Sequence, residues 1–173
     1  MNLIPSFVID HRRIVPGIFV SRVDEIGLEH CTTFDVRMKR PNVEPAISPE
    51  AMHTIEHVIA TYLRNKPDFQ NQLIYWGNMG CNTGFYMIVK GDRKPEDVYP
   101  VILEAFQYLS DYRGEVPGAT EINCGNYHLH NLEMARWEAR EYLYHLRHDD
   151  FKYMFTYPKT EKMEVNGQKF FDS

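Results

Sequence analysis

The chain has 173 residues, 43% hydrophobic and 25% charged, which is enough apolar side chain for one folded core and leaves no segment with the composition of disorder. A net charge of -5 with no block of lysine or arginine speaks against a nucleic-acid or anionic-membrane surface, and no apolar run approaches the roughly 18 residues of a membrane span. The three cysteines, Cys31, Cys81 and Cys124, are odd in number and too widely spaced for a disulfide framework, and the first residues lack a signal-peptide core, so the expectation is a soluble, cytoplasmic protein with free thiols and a small-molecule or protein partner.

Near the start, Ser6, Asp10 and His11 surround the apolar Phe7, Val8 and Ile9 and assign no role by themselves. Ile18 to Arg22 and Thr32 to Lys39 predict strands. In the second, Phe34, Val36 and Met38 alternate with Thr33, Asp35, Arg37 and Lys39, the period of a half-buried sheet, which puts Arg37 on the polar face. A helix then begins at Ser48, a good N-cap, followed by Pro49, which needs no amide hydrogen at the first position, and by Glu50, which suits the positive end of the helix dipole. Met52, Ile55, Ile59, Tyr62 and Leu63 recur at spacings of three and four and form its buried stripe. His53, His57 and Arg64 share another sector, with Glu56 alongside.

Leu73 to Trp76 and Phe85 to Val89 predict two further strands flanking Gly77-Asn78-Met79-Gly80-Cys81-Asn82-Thr83-Gly84, whose glycines mark a tight, backbone-exposed turn. Glu96 to Tyr112 predicts a helix that Pro100 either kinks or shortens, Gly114 to Asn126 a loop, and Leu132 to Leu146 an amphipathic helix with Leu132, Ala135, Ala139, Leu143 and Leu146 on one side. Mixed elements without strict strand-helix-strand alternation give an α+β fold, helices packed on a mostly antiparallel sheet, with a catalytic unit over residues 1–148 and an aromatic tail over 149–173 that packs on the same unit or on a partner copy.

His53-Thr54-Ile55-Glu56-His57 places two imidazoles one helical turn apart beside a carboxylate, the order of the inverted zinc-peptidase motif. Two ligands require a third for an open catalytic site. Cys124 is the best candidate, because Gly125 leaves room beside it and it precedes a helix instead of lying in an apolar stripe. An inert buried thiol is the competing reading, and His128, His130, His145 and His148 are further candidates; for His128 and His130 a supporting hydrogen bond or plain exposure is the simpler role. Cys81, in a glycine-flanked turn, becomes a thiolate if a cation such as Arg37 stands beside it, and is otherwise a small residue tolerated in a turn.

Ser6-Phe-Val-Ile-Asp-His11, Phe34-Asp-Val-Arg37, His53-Thr-Ile-Glu-His57, Met79-Gly-Cys81-Asn-Thr-Gly84-Phe-Tyr86 and Cys124-Gly125 followed by Leu129-His130-Asn-Leu132-Glu133 together resemble the S-ribosylhomocysteine lyases, the LuxS family of autoinducer synthases, in order and spacing over about residues 3 to 146. The resemblance implies a homodimer with active sites at the subunit interface. It also implies one divalent metal per subunit held by His53, His57 and Cys124, usually Fe(II), with Zn(II) or Co(II) able to substitute. The reaction it implies cleaves S-ribosylhomocysteine to homocysteine and 4,5-dihydroxy-2,3-pentanedione, the precursor of autoinducer-2. Cys81 and Glu56 carry protons in that reaction, Arg37 favours the Cys81 thiolate, Ser6 and His11 bind the sugar, and Arg64 lies toward the homocysteine end.

One departure concerns Tyr75, which stands where many members have an aspartate thought to help hold the amino-acid end. Two other readings compete: an inverted-zincin peptidase, in which Cys81 has no use, and a non-catalytic metal-binding protein, in which both Glu56 and Cys81 are dispensable and the metal site is closed by four ligands.

Overall fold

A computed structural model of the chain describes residues 9–158 and the backbone of 164–165 and 168–169. It has an α+β fold built on one antiparallel sheet, whose strands β1 (Gly17–Ile26), β2 (Glu29–Arg37), β3 (Leu73–Asn78) and β4 (Gly84–Lys90) are ordered β1-β2-β4-β3. Helix α1 (Pro49–Asn65) leads from β2 to β3, and α2 (Pro95–Asp111), α3 (Leu132–His148) and the short α4 (Phe151–Met154) follow β4. Beyond them, β5 (Glu164–Val165) pairs with β6 (Gln168–Lys169).

The alternation in β2 sorts its side chains as its pattern predicts on one face: Phe34, Val36 and Met38 join Phe85, Met87 and Val89 of β4 against Ile55, Val58 and Ile59 of α1 and Ile102 and Phe106 of α2. Each of these side chains is almost wholly removed from water, and burying one is worth about 1.5–3 kcal/mol. The α1 cap forms as expected, with Ser48 Oγ accepting the Ala51 amide. Pro100 lies inside α2, which starts at Pro95, where the missing proline hydrogen bond costs nothing at the first position.

The other face of β2 departs from the half-buried pattern. Thr33, Asp35, Arg37 and Lys39 are all buried, Asp35 at 2% and Arg37 at 3% exposure. Lys39 lies against Glu138 and Trp137 of α3, and for Asp35 and Arg37 the reason is the segment after α3. Met154 is fully buried, and Tyr157 stacks its ring on Phe19 of β1 at 4.7 Å, so this segment covers a surface that alternation alone assigns to water. Asp35 and Arg37 satisfy each other there, as hydrogen-bonding groups removed from water must, Lys39 pairs with Glu138 of α3 at 2.6 Å, and Thr33 Oγ1 has no hydrogen-bond partner among the described residues.

Candidate functional site

His53 and His57 lie one turn apart on α1, and each is oriented by a backbone carbonyl from the long connection between α2 and α3. His53 Nδ1 donates to Leu129 O at 2.9 Å and His57 Nδ1 to Pro117 O at 2.7 Å. A carbonyl only accepts, so both rings carry the proton on Nδ1 and present the lone pair of Nε2. Gly118, at φ 69°, makes the turn that brings the Pro117 carbonyl to His57. Cys124 comes from the same connection, where its amide closes a turn on Thr120 O at 3.0 Å, and its Sγ stands 3.4 Å from His53 Nε2.

His130 completes the cluster. Its ring stacks on that of His53 at 4.2 Å, and its Nδ1 lies 3.2 Å from Thr54 Oγ1. Thr54 uses its hydroxyl proton on Glu50 O and accepts the Asn131 amide, so His130 Nδ1 must donate to it and Nε2 is the bare acceptor. That Nε2 is buried and has no hydrogen-bond partner among the described residues. Burial, then the adjacent His53 and His57, push the His130 imidazolium down to about 4, so the ring is neutral at ordinary pH.

Donor atoms of His53, His57, Cys124 and His130 all lie within 4.8 Å of one another. A tetrahedral ion with metal–nitrogen and metal–sulfur bonds of about 2.0 and 2.3 Å sets neighbouring donors roughly 3.3–3.8 Å apart, the spacing seen for His53 Nε2 and Cys124 Sγ. Two preset imidazole lone pairs, a thiol and an orphaned buried nitrogen therefore fit a first-row divalent cation, and nitrogen and sulfur donors accept zinc, iron or cobalt alike. His130 is not simply exposed: it makes the supporting hydrogen bond to Thr54 and also brings its Nε2 beside the other three donors. The signal for it lies in Thr54, a buried hydroxyl between the two histidines that needs partners of its own. The other candidates go elsewhere: His128 is exposed against Tyr127, His145 pairs with Asp149 at 2.7 Å, and His148 bonds to Tyr144 O.

A second polar centre surrounds Cys81. The guanidinium of Arg37 makes a fork on Asp35, Nε to Oδ1 at 3.0 Å and Nη2 to Oδ2 at 2.6 Å, and turns Nη1 to Thr83 Oγ1 at 2.6 Å and Cys81 Sγ at 3.7 Å. Partial burial acts to raise the Cys81 pKa, but hydrogen bonds from Thr83 and the charge and hydrogen bond of Arg37 outweigh it, and the net shift is below the ordinary thiol value. The thiol is exposed, as is required of a group that exchanges protons with a ligand. None of the three glycines in this turn takes a positive φ. Asn82 does, at 55°, a conformation asparagine tolerates, and its carbonyl accepts the Ile47 amide at 2.9 Å, which ties the turn to the residue before the α1 cap.

Glu56 is half-buried on α1 between the two histidines, and its carboxylate has no hydrogen bond or ion pair among the described residues. Arg64 is exposed and is used by β3, donating to the carbonyls of Leu73 and Ile74 at 3.4 and 3.0 Å. His11 donates Nδ1 to Ile9 O at 2.8 Å and makes no contact with either polar centre among the described residues. Ser6 lies outside the described residues. Tyr75 is half exposed on β3.

Comparison with known proteins agrees with this arrangement. The profile of the family described as S-ribosylhomocysteinase (LuxS) matches residues 4–152. A protein of Phocaeicola vulgatus named S-ribosylhomocysteine lyase is 52% identical over 161 residues, covering 93% of this chain and 100% of the relative. Proteins of the same name from Porphyromonas gingivalis strain W83 and Borreliella burgdorferi are 51% and 42% identical, covering 83% and 88% of this chain and 90% and 99% of their own lengths. With the histidine pair, the cysteine and the arginine-supported thiol already in place, these matches establish that the chain belongs to the S-ribosylhomocysteinase (LuxS) family.

Proposed function

We propose that this protein is a metal-dependent carbon–sulfur lyase that converts S-ribosylhomocysteine to L-homocysteine and 4,5-dihydroxy-2,3-pentanedione. The observation that carries the reading is the convergence of His53, His57 and Cys124, from two distant parts of the chain, on one point. These residues hold the metal, in an arrangement of the inverted-zincin kind, and Fe(II) is the working ion. When bound, the ion supplies Lewis acidity to the oxygens on which negative charge develops.

The chain's own groups then move the protons. The sugar carbonyl must migrate by proton transfer between neighbouring carbons until it activates the hydrogen beside the carbon that bears sulfur. Loss of that hydrogen as a proton breaks the carbon–sulfur bond, its electron pair leaves with sulfur, and the thiolate is protonated to give homocysteine. No oxidant, reductant or water is consumed. The Cys81 thiolate, favoured by Arg37, takes and returns a carbon-bound proton in the carbonyl migration, and Glu56, free of a fixed partner, does so in the later migration and the elimination. Ser6 and His11 bind the sugar and Arg64 the homocysteine end; with Tyr75 in place of the usual aspartate, the ammonium group is held by other means. The enzyme works in the cytoplasm as a homodimer with its active sites at the interface, residues 1–148 forming the catalytic unit and 149–173 its tail.

Thiol release from S-ribosylhomocysteine by the anaerobically prepared, Fe(II)-loaded protein tests this. Release by the parent and its loss in both Cys81→Ala and Glu56→Ala are expected. A folded, loaded protein that releases no homocysteine sinks the substrate assignment. The orphaned Nε2 of His130 favours one rival, a closed four-donor site without catalysis. In that case Co(II)-loaded protein shows no exchangeable water, and its spectrum changes on His130→Ala but not on adding substrate.

A further inference from the structure

Asp35 does more than pair with Arg37. Its Oδ2, which accepts Arg37 Nη2, also accepts the phenol hydroxyl of Tyr157 at 2.8 Å, from a residue 122 positions further along the chain. Tyr157 lies beyond residue 152, where the family match ends. It is nonetheless held firmly. Its ring is stacked on Phe19 with an interplanar angle of 11°, Met154 is fully buried, and the backbone of Met154 passes so close to Gly17 that a Cβ at that position would collide with its carbonyl. Tyr142 of α3 donates to Gly17 O at 2.8 Å on the same edge. Burial, then the charge of Asp35, keep the Tyr157 phenol protonated well above its ordinary range, so it serves as a hydrogen-bond donor and not as a charge.

We propose that Tyr157 is a positioning residue for the Cys81 thiolate, acting through the buried Asp35–Arg37 pair. The two donors share one carboxylate oxygen. A hydroxyl bound there withdraws part of the charge that would otherwise neutralise Arg37, and it fixes the plane of the carboxylate, which in turn fixes the guanidinium whose remaining nitrogen faces Cys81 and Thr83. The charged and titratable groups that act on the thiol are Arg37 on β2 and Tyr86 on β4, and those that act on these two in turn are Asp35 on β2, Arg22 on β1, Tyr142 on α3 and Tyr157 itself. Among them only Arg37 and Arg22 are cations, and Arg22 is paired with Asp24 at 2.7 Å. Arg37 is therefore the cation that acts on the thiol, beside the hydrogen bonds of Thr83, and Tyr157 bears on it through Asp35. The inference rests on the reading of Cys81 as a working thiolate but is tested without turnover.

The test follows the rate of Cys81 alkylation by iodoacetamide against pH, read by peptide mass spectrometry on the metal-loaded full chain. Tyr157→Phe keeps the ring on Phe19 and removes only the hydroxyl. It should move the alkylation midpoint up by about half a pH unit, a roughly threefold slower reaction at pH values below the midpoint. Phe19→Leu, which loosens the ring and leaves the hydroxyl, should move it less, and 3-fluorotyrosine at 157, a stronger donor, should move it down. An unchanged or lowered midpoint in Tyr157→Phe, a shift in Phe19→Leu as large as that in Tyr157→Phe, or an upward shift with 3-fluorotyrosine overturns the proposal. Loss of lyase activity in Cys81→Ala bears on the catalytic reading alone, because alkylation reports the thiol and not the reaction.

Discussion

Replacing Asp35 by asparagine should weaken the fold and strengthen the thiolate at once, and the two effects have different sizes and different assays. The pair is buried at both ends and joined by two charge-assisted hydrogen bonds. Removing the carboxylate charge strands a guanidinium in a place water does not reach, and breaking a buried pair from one side costs about 3–5 kcal/mol. At roughly 2–4 °C per kcal/mol for a chain of this size, the unfolding midpoint followed by circular dichroism should fall by roughly 6–20 °C. The amide of asparagine keeps one acceptor for Arg37, which favours the lower end. The thiol responds in the opposite sense. With the negative charge gone, Arg37 acts on Cys81 undiluted, so the alkylation midpoint moves down and the reaction below it quickens, the reverse of the effect expected for Tyr157→Phe. A melting loss below about 2 °C would mean that the pair is solvated and not buried. A Cys81 midpoint that rises would mean that Asp35 supports the thiolate by some route other than Arg37.

Three further outcomes follow from the same geometry. Thr54→Val removes the acceptor of both the Asn131 amide and His130 Nδ1, and should cost about 1–3 kcal/mol in urea unfolding; a loss below about 0.5 kcal/mol would show that those donors find other partners. Chelation should make Cys124 reactive toward iodoacetamide while metal-loaded protein reacts at Cys81 alone, Cys31 staying buried in both states; equal Cys124 labelling with and without metal would remove it from the ligand set. The lowered Cys81 value also links to stability. A thiol whose folded value lies below its ordinary 9.0 adds stability that grows as pH rises through the folded value and is complete above 9.0, so the parent should gain on Cys81→Ser over that window, and a gap that closes with rising pH would contradict the shift.

The elements that the chain states plainly are those whose signal is local. Ser48, Pro49 and Glu50 specify the start of α1 from three adjacent residues, and the Phe34, Val36 and Met38 alternation identifies the core face of β2 because period two is a property of the strand itself. Strand ends carry a weaker signal. β1 runs on to Ile26 and β2 begins at Glu29, because the hairpin between them is closed by a backbone ladder that takes Asp24, Glu25, His30 and Glu29 without asking for apolar side chains. In the same way the glycines around Cys81 signalled a turn, but the residue that takes the left-handed conformation is Asn82, whose short polar side chain tolerates it.

The site divides along the same line. His53 and His57 are legible because one helix carries both, and 3.6 residues per turn makes four positions one face. Cys124 and His130 reach them only through the path of the connection after α2, which is set by carbonyls of Pro117 and Leu129 meeting imidazole nitrogens, and no pattern within the connection itself encodes that meeting. Asp35 and Arg37 are the sharpest case. Their alternation with apolar residues reads as a wet face, and the reading fails because a face is wet only if nothing covers it. What covers it here is Tyr157 and the backbone of Met154, supplied from the far end of the chain. Once covered, a carboxylate and a guanidinium two residues apart on one strand must satisfy each other, and the one guanidinium nitrogen left over is the one that turns toward Thr83 and Cys81. The environment of the thiol is thus a consequence of long-range burial, which is why substitutions at Asp35 and Tyr157, neither of which touches Cys81, are expected to shift its titration in opposite directions.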